Sequence, residues 1–327
     1  MLSAADIRGV TAMIPTPCKE GAEGWEPVNS VDLDETARMV EKLIQGGVGS
    51  IAACGTTGEA AALMWDEKRD FVDTIVKVTR KRVPVFAGAT ALGTKEVVRQ
   101  MRGFRELGAD GSFVGLPLWQ TPTLENSVQW FADLGQAVPD MPIMVYANSM
   151  FFKSEFPTIF WEGVAKRAPT VITSKIAYGI EHLNEDLAVA GHQINFQPGQ
   201  AHLYGAYQKA GMKITACWST SAPMGPEPTV ALMDAILRDD KQRAAEVWQD
   251  ISSLPPAVPN GEFAQHFPEY NAQINKAFFN ASGYIKPGPV RAPYQDLPEH
   301  WQKQAELHAK SWAVLREKYA KAPIAPR

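Results

Sequence analysis

Three stretches of this chain carry side chains suited to covalent chemistry at a carbonyl, and each closes an apolar run. Lys175 ends Val171-Ile172-Thr173-Ser174. Tyr146 and Asn148 sit in Val145-Tyr146-Ala147-Asn148, and Thr56 and Thr57 in Gly55-Thr56-Thr57-Gly58-Glu59. A lysine amine becomes nucleophilic near neutral pH only where its charged form is disfavoured, and the end of a buried strand offers such a place. Taken singly, each residue has a plainer reading: a surface lysine, a packed aromatic, a tight turn. An amine, a phenol and a hydroxyl pair delivered to one end of one fold would instead perform covalent carbonyl catalysis.

The elements that must deliver them alternate regularly. Strands are expected over 9–14, 48–53, 83–87, 111–116, 142–147 and 170–174, with weaker ones over 194–197 and 213–217. Helix-periodic segments follow: 31–45, 66–80, one capped by Thr94, 124–137, 158–167, 180–190 and 202–210. Eight alternations predict an α/β fold, the (β/α)8 TIM barrel, with additional C-terminal helices over 228–239, 241–252, 269–282 and 299–320. The expected division is a barrel over 1–225 and a helical extension over 226–327 packed on it. Barrel enzymes work at the C-terminal ends of their strands, which singles out Thr56, Thr57, Trp119, Tyr146, Asn148 and Lys175.

Composition narrows the function class. The net charge is -4 and basic residues are scattered, so neither nucleic acid nor an anionic membrane is expected as partner. No stretch approaches the roughly 18 apolar residues that a membrane span needs. The start, Met1-Leu2-Ser3-Ala4-Ala5-Asp6, lacks the charged and then apolar pattern of a signal peptide, and three widely spaced cysteines (Cys18, Cys54, Cys217) suit reduced thiols. A cytoplasmic enzyme is expected. The six histidines show neither HxH nor HExxH spacing, and Gly88-Ala89-Thr90-Ala91-Leu92-Gly93 departs from a dinucleotide fingerprint, so no metal and no cofactor is called for.

The chain resembles the dihydrodipicolinate synthase and N-acetylneuraminate lyase superfamily of Schiff-base aldolases. The resemblance rests on Gly55-Thr56-Thr57-Gly58-Glu59, Trp65-Asp66-Glu67-Lys68-Arg69, Tyr146 and Lys175. Within it, Val31 to Arg38, Val145 to Asn148, Tyr270-Asn271 and Lys286-Pro287-Gly288-Pro289 are similar to the trans-o-hydroxybenzylidenepyruvate hydratase-aldolases of aromatic-hydrocarbon breakdown. That implies an iminium between Lys175 and a small-molecule 2-oxo acid, with Thr56 and Thr57 holding its carboxylate and Tyr146 moving protons. It also implies a homo-oligomer, commonly a tetramer. Asn148 and Asn271 are candidates to orient water or a developing alkoxide, beside their plainer reading as satisfied loop amides.

Departures from the synthase branch bear on the substrate. Where synthases carry an arginine shortly after the strand-five tyrosine, this chain reads Ser149-Met150-Phe151-Phe152-Lys153. Where they place a tyrosine pair after strand four, it has Leu118-Trp119, and the indole face suits an aromatic ring. The naphthalene-pathway relatives tend to have a histidine after Phe-x-Pro; here Phe196-Gln197-Pro198 is followed by Gly199-Gln200, which leaves the ring's ortho group open between hydroxyl and carboxylate. The competing readings are another pyruvate-dependent aldolase or synthase, and a non-catalytic barrel that binds a 2-oxo acid.

Overall fold

The computed structural model describes residues 1–26, 28–177, 179–259 and 261–320. Its strands are β1 (Gly9–Met13), β2 (Ser50–Ala53), β3 (Val85–Gly88), β4 (Gly111–Val114), β5 (Ile143–Ala147), β6 (Val171–Ile176), β7 (Asn195–Gln197) and β8 (Ala216–Ser219). Every residue of β1 through β6 is buried, as expected of strands covered on both faces by a parallel α/β architecture. All observed pairings of these strands are parallel, in the order β7-β6-β5-β4-β3-β2-β1-β8. A parallel bridge between Gly199 and Trp218, with the Trp218 N–H donating to Pro198 O at 3.0 Å, joins the two ends. The (β/α)8 TIM barrel expected from the alternation is the fold.

The intervening helices are α1 (Leu33–Gln45), α2 (Trp65–Thr79), α3 (Thr94–Leu107), α4 (Leu124–Ala137), α5 (Ser149–Phe152), α6 (Thr158–Arg167), α7 (Leu183–Ala190) and α8 (Leu203–Ala210). Four more follow β8: α9 (Glu227–Leu237), α10 (Lys241–Ser252), α11 (Phe263–Ser282) and α12 (Glu299–Ala320). Their bounds depart from the sequence expectation in informative places. Gly93, in an extended conformation, occupies the cap position of α3, and Thr94 is the first helical residue. The segment 211–213 turns as a short 3-10 helix, so β8 begins three residues later than periodicity suggests. Helix α11 starts before Pro268, not after it; the missing proline N–H falls beside a break at Tyr270, whose φ of -116° and ψ of 16° are non-helical.

A chain of hydroxyls and amides crosses the barrel interior below its mouth. Ser50 and Thr11 share a hydrogen bond of 2.6 Å, Thr11 Oγ1 donates to Gln197 Oε1 at 2.6 Å, and Gln197 Nε2 donates to Thr173 Oγ1 at 2.9 Å. Thr173 Oγ1 in turn donates to Asn195 O. Buried polar atoms that find partners in this way define one side-chain arrangement, because any slip would leave several unsatisfied. Side chains two residues apart on a strand share a face, so Thr173 in this layer puts Lys175 one step nearer the mouth on the same interior side.

Helix α9 lies against β1 and β8, and α11 packs along α12. Trp312 Nε1 donates to Gly225 O at 2.9 Å and Arg316 Nη1 to Met224 O at 3.0 Å, which ties α12 to the turn after β8. Among the described residues, no helix is long and apolar enough to cross a membrane.

Candidate active site

Strand β6 runs to Ile176, so Lys175 lies within the strand and not beyond its end. Its register partners are Tyr146 on β5 and Gln197 on β7, so the three side chains emerge side by side. The ammonium-bearing end is buried among rings: Lys175 Nζ stands 4.4 Å from the Tyr146 ring centroid and 3.7 Å from that of Trp218. Burial alone pulls the Lys175 pKa down from 10.5 to about 7, because no carboxylate offsets the lost hydration of its charged form. About half of the amine is then neutral at neutral pH, where an ordinary lysine is almost wholly protonated.

Tyr146 is clamped by Phe113, stacked at 4.6 Å, and by the edge of Phe152 at 5.1 Å. Its hydroxyl shares a 3.1 Å hydrogen bond with Thr56 Oγ1. Burial pushes the phenol's pKa up while hydrogen bonds with Thr56 and Asn148 draw it back, so the group stays protonated at neutral pH and able to donate. Asn148 Oδ1 caps α5 by accepting from the Met150 and Phe151 N–H groups, which leaves the amide nitrogen to face the Tyr146 hydroxyl.

The turn after β2 is held from beneath. Cys54 opens it and Glu59 closes it, both in left-handed backbone conformations. The Cys54 thiol is buried and pushed up to about 12, so it is a packed side chain and not a nucleophile. The Glu59 carboxylate is fully enclosed; Lys276 donates to its Oε2 at 2.5 Å and Arg291 Nη1 at 2.9 Å. The Arg291 backbone N–H donates to Oε1 at 2.7 Å. Residues of the C-terminal helical region thereby fasten the turn that carries Thr56 and Thr57.

A cavity of about 480 Å³ opens over these groups, lined by Thr57, Tyr146, Asn148, Lys175, Trp218 and Asn271 among others. Thr56 faces an adjoining cavity of about 300 Å³, which shares Tyr146, Phe151 and Asn271 with the first. Asn271, on α11 just past the Tyr270 break, has a buried side-chain oxygen bonded to no described residue, an acceptor presented to both cavities. Six of the seven residues singled out from the sequence therefore converge.

Trp119 does not join them. It is 86% exposed on the loop after β4, outside both cavities, and its neighbour Leu118 lines the smaller one instead. The indole that does line the cavity beside Lys175 is Trp218, one residue beyond the expected end of β8 at Cys217. Trp218 Nε1 donates to Ile176 O at 2.8 Å, which fixes the ring beside the lysine. Lys153 is likewise exposed and adds no charge to the cavity.

Residues 21–311 match the model of the dihydrodipicolinate synthetase family. The chain belongs to that family. Among family members, the trans-O-hydroxybenzylidenepyruvate hydratase-aldolase of Pseudomonas putida is 41% identical, over 98% of this chain and 97% of its own. The trans-2'-carboxybenzalpyruvate hydratase-aldolase of a Nocardioides strain is 34% identical over 97% and 96%. The solved structure of PhdJ bound to a substrate intermediate superposes with a TM-score of 0.90 at 34% identity, covering 97% of this chain and 99% of that one.

Proposed function

We propose that the protein is a Schiff-base hydratase-aldolase that converts a trans-4-aryl-2-oxobut-3-enoate and water to an aromatic aldehyde and pyruvate. The observation that carries this reading is the buried Lys175 amine, held between Tyr146 and Trp218 with burial alone lowering its pKa. Kinship with hydratase-aldolases over nearly the whole chain supports the aryl substrate.

Thr56, Thr57 and neighbouring N–H groups hold the carboxylate, which fixes the ketone against Lys175 Nζ. Nitrogen attacks the carbonyl carbon, and Tyr146 supplies the proton with which the oxygen leaves as water. The resulting iminium withdraws electrons through the conjugated alkene, so water adds at the aryl-bearing carbon and gives up a proton, with Asn271 Oδ1 as an acceptor to orient it; the enamine left behind takes a proton at its carbon, which restores the iminium. Loss of the new hydroxyl's proton then breaks the adjacent carbon–carbon bond. The aldehyde departs, the electron pair returns to the iminium as an enamine, and protonation and hydrolysis release pyruvate. A positioned acid such as Tyr146 contributes on the order of 10²–10⁴-fold to such steps.

Borohydride added with pyruvate should fix a pyruvate-derived mass on Lys175, and Lys175→Ala should lose both that mass and turnover. A protein that only binds 2-oxo acids would gain no covalent mass. Family membership also supports assembly as a homotetramer in the cytoplasm, and the exposed Leu118 and Trp119 supply apolar surface for a neighbouring subunit to cover; light scattering measures the assembly.

A further inference from the structure

The far wall of the larger cavity is built by the C-terminal region: Trp248, the Pro-rich link 254–258, Phe267, Phe278, His308 and Trp312. Thr57 and Lys175 line the same cavity, so a ring carried by a 2-oxo acid seated between them would extend towards this wall. Its charge content is narrow. Among the described residues, Lys175 is the sole lysine or arginine that lines the cavity, His202 is its other histidine beside His308, and the adjoining cavity adds Glu59 and Glu269 but no lysine or arginine. Gln200, at the Phe-x-Pro position where a ring contact was in question, is already engaged. Its amide oxygen accepts from Ser219 Oγ and the Ser221 N–H, and its nitrogen donates to Ser221 Oγ.

His308 is different. Its Nδ1 lies 2.7 Å from Pro255 O. A carbonyl oxygen can only accept, so Nδ1 carries the hydrogen. Burial disfavours the imidazolium, so the ring is neutral and Nε2 holds a lone pair, which no described residue engages. The ring is wedged beside Phe278, at 5.4 Å, and Trp312, at 6.2 Å. The cavity thus presents a fixed acceptor in an apolar wall, with its lysine, Lys175, committed to the 2-oxo acid. A buried acceptor rewards a donor, whereas a carboxylate there would lose its hydration without compensation.

We propose that this cavity selects arylidenepyruvates whose ring carries an uncharged hydrogen-bond donor such as a hydroxyl, and that His308 reads that donor through Nε2. The inference rests on the hydratase-aldolase reading and names its substrate class.

The test compares kcat/KM for o-hydroxybenzylidenepyruvate, o-carboxybenzylidenepyruvate and unsubstituted benzylidenepyruvate. The native enzyme should favour the hydroxyl substrate over the unsubstituted one by roughly threefold to tenfold, the range of one neutral hydrogen bond, and should handle the carboxyl substrate worst. His308→Asn keeps a donor for Pro255 O but has no Nε2, and it should bring the hydroxyl-to-unsubstituted ratio towards one. His308→Gln, whose amide reaches the Nε2 position, should restore part of that ratio. A ratio unchanged in His308→Asn, or a native enzyme that prefers the ring carboxylate, overturns the proposal. If pyruvate is trapped on Lys175 yet no arylidenepyruvate is cleaved, the hydratase-aldolase reading falls and takes this inference with it. Cleavage without a hydroxyl advantage sinks the inference alone.

Discussion

At the scale of residues, the decisive quantity is the protonation of one amine. Lys175 titrates at about 7, because burial and not a neighbouring cation lowers it. The sign follows directly. Below that value the amine is an ammonium with no lone pair; above it the amine is free to attack. The rate of Schiff-base formation with pyruvate should therefore fall about tenfold per pH unit below 7 and level off above it. Stopped-flow trapping across pH 5–9 measures this, and an acid limb centred near 10 would mean that the amine is solvated. The type and position of Lys175 and Tyr146 were legible from the ends of their apolar runs. The pairing of Lys175 with Trp218 was not, since aromatic packing across a barrel joins residues that no local pattern connects.

At the scale of elements, the ends of β7 and β8 set where that tryptophan stands. Gly199 follows β7, and a Cβ there would lie 2.8 Å from the Trp218 ring, a separation that real side chains do not tolerate. The ring cannot retreat freely, because its Nε1 is committed to Ile176 O. Gly199→Ala should thus displace the indole from Lys175 and lower kcat for arylidenepyruvates more than it lowers thermal stability. Equal kcat in the variant would show that the indole position is immaterial. Strand and helix order was readable because period and punctuation are local signals. The start of β8 and the break in α11 were not. In the first, a 3-10 turn consumes residues that look like strand; in the second, a proline sits inside a helix that tertiary packing sustains.

At the scale of the whole molecule, the barrel and the C-terminal helices are coupled through one buried carboxylate. Glu59 belongs to the Gly-Thr-Thr-Gly-Glu turn, while Lys276 lies on α11 and Arg291 in the segment before α12. None of this could be read along the chain, because more than 200 positions separate the partners. The three charges sum to one positive, and removing different members leaves different remainders. Glu59→Gln strands two cations in a dry site, a change that breaks a buried ion pair at a cost of about 3–5 kcal/mol. Lys276→Met leaves the neutral Glu59–Arg291 pair and removes an amine whose pKa burial already depresses. Thermal unfolding should therefore show a much larger loss of Tm for Glu59→Gln than for Lys276→Met. Because the same carboxylate fastens the turn beneath Thr56 and Thr57, Glu59→Gln should also raise the pyruvate concentration needed for half-maximal trapping on Lys175. Equal stability losses in the two variants would mean that the network acts by packing alone, and an unchanged pyruvate requirement would mean that the turn holds its shape without the C-terminal region.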